Sequence, residues 1–184
     1  GPVAYDDGKA VPPRRDQAPG HRVDIRVDPR PDVLQVDDEG IELRAVNRVN
    51  ERFGDKVHVN ITSFNRSVLI TGEVPNETAK SEIEKIVTGT NNVRSVTNDL
   101  KVASGTSLSS RAGDATITGK VKARFVDANR FNVFQVKVVT EDSVVYLMGI
   151  VTEAEAAAAV EVARTTSGVR KVVKVCEYGK PTDT

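Results

Sequence analysis

The stretch "YLMGIVTEAEAAAAVEVARTTSGVRKVV", Tyr146 to Val173, is nearly a second saying of "LITGEVPNETAKSEIEKIVTGTNNVRSV", Leu69 to Val96. Gly72 and Gly149 lie 77 residues apart (149 − 72), and at that offset the apolar positions coincide. Val59 and Ile61 match Val136 and Val138. Val68, Ile70 and Val74 match Val145, Leu147 and Val151. Ala79, Ile83 and Ile86 match Ala156, Val160 and Ala163. One deletion later, Val93 and Val96 match Val169 and Val172. A period this long means duplicated domains, because each unit is too large for one turn of a solenoid.

Working outward, each copy reads as the same element order. "DEGIELRAVNRVNERF" (38–53) and "GDATITGKVKARFVDANRF" (113–131) space Ile41, Ala45, Val49 and Ile117, Val121, Phe125 as on one face of a helix, after acidic cap candidates. "KVHVNITSFNRSVLITGEV" (56–74) alternates, breaks at "FNRS" and alternates again, which predicts a hairpin; "TEDS" makes the break in the second copy. "NETAKSEIEKIVTG" and "TEAEAAAAVEVARTTSG" predict amphipathic helices that open on a polar cap and end at Gly89 and Gly168. "VRSVTNDLKV" and "VRKVVKVCEY" close each copy as strands. The expected fold class is α+β: two tandem α-β-β-α-β units, each a three-stranded mixed sheet with two helices on one face. The expected domains are 40–102 and 111–178, with a linker at 103–110 and a tail at 179–184. Gly72 and Gly149 are expected to leave room for the helix that crosses the sheet, a structural need rather than a ligand role.

Residues 1–39 differ in kind. Six basic and nine acidic residues fall there, with Pro2, Pro12, Pro13, Pro19, Pro29 and Pro31. So many prolines oppose helix and strand pairing. An extended, mostly flexible arm or tether is expected, with "VDIRV" (23–27) as a possible short strand.

Composition excludes several classes of function. The 26 basic and 26 acidic residues balance, so no global field draws nucleic acid or an acidic substrate. With one cysteine, Cys176, no disulfide can form within the chain, and no cysteine-based metal site is expected. His21 and His58 stand apart from any nucleophile motif, so no catalytic constellation, cofactor or metal is expected. "VTGTNN" lacks the spacing and lysine of a phosphate loop. A GxxG clamp and an aromatic platform for RNA are likewise missing. No stretch is apolar enough to span a bilayer. The chain opens on "GPVAY" with no Met, so a missing signal peptide says nothing about export.

The order α-β-β-α-β, the "LxGxV" strand end, the Ala/Ile/Val helix and the "GVxxV" that follows resemble the BON domain. Two copies joined by "SLSSRAGDATITGKVKARF" behind an Asp/Arg-rich arm are similar to the dual BON-domain lipoproteins of Gram-negative envelopes. The resemblance spans roughly Val36 to Tyr178. It implies a non-enzymatic periplasmic protein, tethered to the inner leaflet of the outer membrane by an N-terminal lipid on a cysteine that this sequence does not contain. It further implies binding of anionic phospholipid, phosphatidylglycerol-like, and support of envelope integrity near division sites. No nucleic acid or small-molecule substrate is expected.

The same resemblance implies that the lipid surface is the first helix of the second unit. The candidate lipid-binding residues are Thr116, Ile117, Lys120, Val121, Lys122, Arg124, Phe125, Val126 and Arg130. Of these, Ile117, Val121 and Phe125 must mostly face the core. Lys120, Lys122 and Arg124 crowd three cations into five residues, and only Asp114 and Asp127 are acidic between 111 and 130. By pattern alone this is either a solvated basic face or a membrane surface; the resemblance favours the membrane. An aromatic residue can stand in the family where Thr116 stands here.

The second hairpin is apolar on both faces. Val144, Tyr146, Met148 and Ile150 stand where the first copy has Ser67, Leu69, Thr71 and Glu73. Two helices cover only one face of a small sheet, so the other face is expected to meet something. The expectation is docking against the first unit, with Phe64 and Leu69 among the contacts. The alternative is an envelope protein partner, or a second copy of the chain, which would make the protein an adaptor.

Overall fold

A computed structural model describes residues 4–6, 9–11, 32–103 and 109–178. Two compact units divide near residues 32 and 111, one spanning Val33–Arg111 and the other taking the described residues up to Asp32 and from Ala112 on; each element is given with the unit that holds most of it. The first runs α1 (Asp32–Phe53), a 3-10 turn at 54–56, β3 (His58–Phe64), β4 (Ser67–Val74), α2 (Glu77–Thr88), then β5 (Ser95–Asn98) and β6 (Lys101–Val102). The second runs α3 (Ser109–Ala128), a 3-10 turn at 133–135, β7 (Val136–Glu141), β8 (Val144–Val151), α4 (Glu153–Arg164), then β9 (Lys171–Lys174) and β10 (Glu177–Tyr178). Ahead of both, β1 (Ala4–Asp6) pairs antiparallel with β2 (Lys9–Val11).

The two sheets have one topology. β4 is central, antiparallel to β3 with Ile61 opposite Ile70, and parallel to β5 with Val68 opposite Val96. β8 is central in the second, with Val138 opposite Leu147 and Val145 opposite Val172. Each is a three-stranded mixed sheet whose last strand is broken, β6 and β10 resuming the pairing of β5 and β9 on the same central strand. The break in the first unit has a cause. The Asn98 side chain donates to the Lys80 carbonyl and accepts from the Leu100 amide, and Leu100 turns into the core.

Both helices of each unit pack on the same sheet face. In the first, Ile41, Ala45 and Val49 of α1 and Ala79, Ile83 and Val87 of α2 meet Val68, Ile70 and Val74. In the second, Ile117, Val121 and Phe125 of α3 meet Val145, Leu147 and Val151, while Ala156, Ala159 and Ala163 bring α4 close. Each large aliphatic side chain so buried contributes about 1.5–3 kcal/mol.

Three expectations change. Helix α1 opens at Asp32, ahead of residue 40, and the segment read as an arm contains the β1–β2 hairpin. The "VDIRV" stretch, most of the 103–110 linker and the 179–184 tail lie outside the described residues. Helix α4 ends at Arg164 rather than running to Gly168. The hydroxyls of Thr165 and Thr166 turn back onto the carbonyls of Glu161 and Val162, as threonines do where they compete with the helix ladder. Gly72 and Gly149 are required for another reason than a crossing helix. Both have positive φ, +120° and +155°, and a Cβ would strike the carbonyl oxygen of His58 or of Gln135 on the neighbouring strand segment.

Candidate functional site

Helix α3 is fixed by its inward side. Ile117, Val121 and Phe125 belong to the core, with Phe125 edge-on to Phe131 at 4.9 Å between ring centroids. These three candidate lipid contacts are buried: their spacing of four residues puts them under the helix, where they orient it.

Asp114 does more than its place in the sequence suggested. It is buried, and its two carboxylate oxygens accept the backbone N–H groups of Asp142 and Ser143 at 2.8 Å each. Asp142 and Ser143 both have positive φ, 50° and 64°, so this is the tight turn of the β7–β8 hairpin. The first unit repeats the device. Asp38 is buried and accepts the N–H groups of Asn65 and Arg66 and the Ser63 hydroxyl. Both aspartates were read as helix caps; the signal that would have found them is their shared spacing ahead of Ile41 and Ile117. Of the two carboxylates between 111 and 130, only Asp127 is exposed.

The cations divide around the helix. Lys120 donates to the Ser167 hydroxyl at 3.1 Å. Arg124 donates to the Val162 carbonyl at 2.9 Å and to the hydroxyls of Thr165 and Thr166, at the C-terminal end of α4. A cation is favoured there by the partial negative charge of the helix end. Lys122 lies half-buried on the opposite flank, where α3 meets β7. One turn earlier on that flank, the Thr118 and Thr140 hydroxyls share a hydrogen bond of 2.7 Å. Burial first, and the Lys137 charge second, lower the Lys122 pKa from its ordinary 10.5.

Between these flanks runs the outward strip of α3. Thr116, Gly119, Ala123 and Val126 are all exposed along it, with Arg130 just beyond the helix end. Val126 is 63% exposed. The Thr116 hydroxyl bonds the Ala112 carbonyl within the helix. A Cβ on Gly119 would meet nothing within 4 Å. The site residues thus form a low apolar ridge with a cationic margin on each side.

Helix α1 uses its arginines inwardly. Arg44 and Arg48 donate to the carbonyls of Asn91 and Gly89, and Arg52 pairs with Glu82 at 3.2 Å. Leu43 is exposed on it, but Glu39 and Glu51 are exposed beside the arginines.

On the sheet face away from the helices, Val144, Tyr146 and Met148 are buried and Ile150 is half-buried; Leu69 and Phe64 are buried too. None of them is in the core cluster of its own unit. Cys176 is a free thiol whose sulfur contacts the Leu147 carbonyl at 3.3 Å; burial pushes its pKa up to about 11. Among the described residues no group of His, Cys, Asp and Glu could hold a metal ion, and no helix is long and apolar enough to cross a membrane.

Known proteins are similar to this chain. The BON domain model matches residues 37–104 and again 113–180. The outer membrane lipoprotein DolP of Haemophilus influenzae is 35% identical over 156 residues, covering 84% of this chain and 81% of that protein. A 21 kDa hemolysin of Actinobacillus pleuropneumoniae is 31% identical over 154 residues, 83% of this chain and 79% of that one. The osmotically inducible protein Y of Escherichia coli is 30% identical over 117 residues, 62% of this chain and 58% of its own. With both units matched and each built as the same helix-covered sheet, this chain belongs to the BON-domain family and holds two copies of the domain in tandem.

Proposed function

We propose that this chain is a non-enzymatic envelope protein that binds anionic phospholipid through the outward strip of α3. The observation that supports it most is the exposure of Val126 on a ridge of small residues flanked by Lys120, Arg124 and Lys122, with Asp114 withdrawn into the hairpin turn. A phosphatidylglycerol-like surface suits that pattern. Each basic residue near such a surface contributes about 1 kcal/mol, and shallow insertion of Val126 adds apolar transfer. The H. influenzae relative is named an outer membrane lipoprotein, which supports a place at the periplasmic side of the outer membrane. There, held by an N-terminal lipid, the protein would support envelope integrity near division sites.

Flotation with vesicles tests this. Binding is expected to vesicles containing phosphatidylglycerol, absent from neutral ones, and reduced by salt, because surface attraction fades beyond about 8 Å at physiological ionic strength. Lys120→Glu with Lys122→Glu should weaken it, and Val126→Asp should weaken it even at low salt. Undiminished binding of the folded double variant would sink the electrostatic mechanism.

A second reading is an adaptor that meets an envelope protein through the outer face of β8. It is favoured by the apolar run Val144, Tyr146, Met148 and Ile150. Tyr146 and Met148 are each 1% exposed, so a partner would have to uncover them first. The α3 strip is open as it stands, and for that reason the lipid reading is preferred.

A further inference from the structure

The loop after α4 holds two of the cations of α3. Lys120 donates to the Ser167 hydroxyl at 3.1 Å, and Arg124 donates to the hydroxyls of Thr165 and Thr166 at 3.1 and 2.9 Å. Consecutive residues, Thr165 to Ser167, thus bring the two charges together. The first unit has the same frame without two of these hydroxyls. Counting back 76 residues (120 − 44), Lys120, Arg124, Thr165 and Ser167 match Arg44, Arg48, Gly89 and Asn91. There the two arginines hold backbone carbonyls, those of Asn91 and Gly89.

Neither cation is neutralised. Among the described residues Lys120 and Arg124 form no ion pair, and each bonds uncharged oxygens alone. Arg124 makes its bonds to Val162, Thr165 and Thr166 through one Nη, which leaves its Nε and second Nη uncommitted among the described residues. Glu161, whose carbonyl receives the Thr165 hydroxyl, has its carboxylate matched by Arg164 at 2.7 and 2.9 Å. Asp127, one turn past Arg124, is exposed and bonds neither cation.

The spare donors suit a phosphate. A lysine carries three N–H donors, and a serine hydroxyl that accepts from one still has its own proton to give. Lys120, Arg124 and Ser167 are all exposed, beside the strip of Thr116, Gly119, Ala123 and Val126. A bilayer that meets this strip at shallow depth sets its headgroups at the same level. Phosphate oxygens accept short, charge-assisted bonds from lysine and arginine, and a guanidinium can meet two of them at once.

We propose that Lys120, Arg124 and Ser167 form a site that grips the phosphodiester of one anionic lipid headgroup. This rests on the lipid reading of α3 and adds to it a residue, Ser167, that carries no charge and lies outside the helix. A diffuse attraction between cations and a charged surface does not need that hydroxyl; a held phosphate does.

The experiment is flotation of the whole chain with phosphatidylcholine vesicles containing phosphatidylglycerol, for wild type, Ser167→Ala and Ser167→Thr. Ser167→Ala changes no charge and should weaken binding about fivefold, as loss of one hydrogen bond does. Ser167→Thr keeps the hydroxyl and should bind as wild type does. Both are surface changes, so their urea midpoints should match wild type. Equal binding of wild type and Ser167→Ala would overturn this proposal and leave the lipid reading standing. So would a loss in Ser167→Thr as large as that in Ser167→Ala. A wild type that fails to float would overturn both. Sodium phosphate and sodium chloride at matched ionic strength identify the source of the phosphate. Equal release by the two salts assigns the site to the lipid. Release by sodium phosphate at far lower ionic strength would give the site to a free phosphate and overturn the lipid assignment.

Discussion

Arg124 and Val162 are tied across the second unit: the guanidinium of one donates to the backbone carbonyl of the other at 2.9 Å. The same nitrogen reaches the hydroxyls of Thr165 and Thr166, so this arginine closes the end of α4. Arg48 does the like in the first unit, on the Gly89 carbonyl. The cation that the sequence offers as a lipid contact is therefore also a helix cap.

Arg124→Ala is expected to lower the stability of the second unit by about 1–2 kcal/mol, the loss of a charged hydrogen bond at a partly exposed site. Arg130→Ala, at an exposed position beyond the helix, should change it by less than about 0.5 kcal/mol. Urea unfolding of both variants separates the roles. If they unfold alike, Arg124 has no capping function.

Asp114→Ala should cost about 2–3 kcal/mol, since it leaves the amides of Asp142 and Ser143 without their acceptor. Ser143→Gly should raise stability by up to about 1 kcal/mol, because Ser143 holds a positive φ that glycine adopts freely. Thermal unfolding of the two variants checks both signs.

The glycines separate sharply. Gly149→Ala should destabilise the second unit by more than about 2 kcal/mol, from positive φ and collision with the Gln135 carbonyl together. Gly119→Ala, in an exposed part of α3 with open space around it, should stabilise by about 0.5–1 kcal/mol. A Gly149→Ala protein that melts with the wild type would refute the backbone contact as the cause.

Lys122 supplies a pH dependence. Its folded pKa is below the ordinary 10.5, through burial first and Lys137 second. The unfolded chain therefore binds more protons between the folded pKa and 10.5, and stability rises with pH across that window. Below the folded pKa the residue is charged in both states and the penalty is fully present. Lys122→Met is expected to be more stable than wild type at pH 7 and to flatten the alkaline rise. Urea midpoints from pH 7 to pH 10.5 test it, and an unchanged slope in Lys122→Met would assign the rise to another group.

The duplication, the order α-β-β-α-β in each copy and the core-facing side of each element are legible in the amino acids alone. These are local properties. A period of two or of 3.6 writes the buried face directly into the chain, so Ile117, Val121 and Phe125 were readable as a core stripe without coordinates. What the polar residues and glycines do emerges only in the folded chain, because their partners are distant in sequence. Asp114 finds the hairpin turn 28 residues on, and Arg124 finds the end of α4 38 residues on. Gly149 is required by the carbonyl of Gln135, across the strand pair, and no periodicity records that approach.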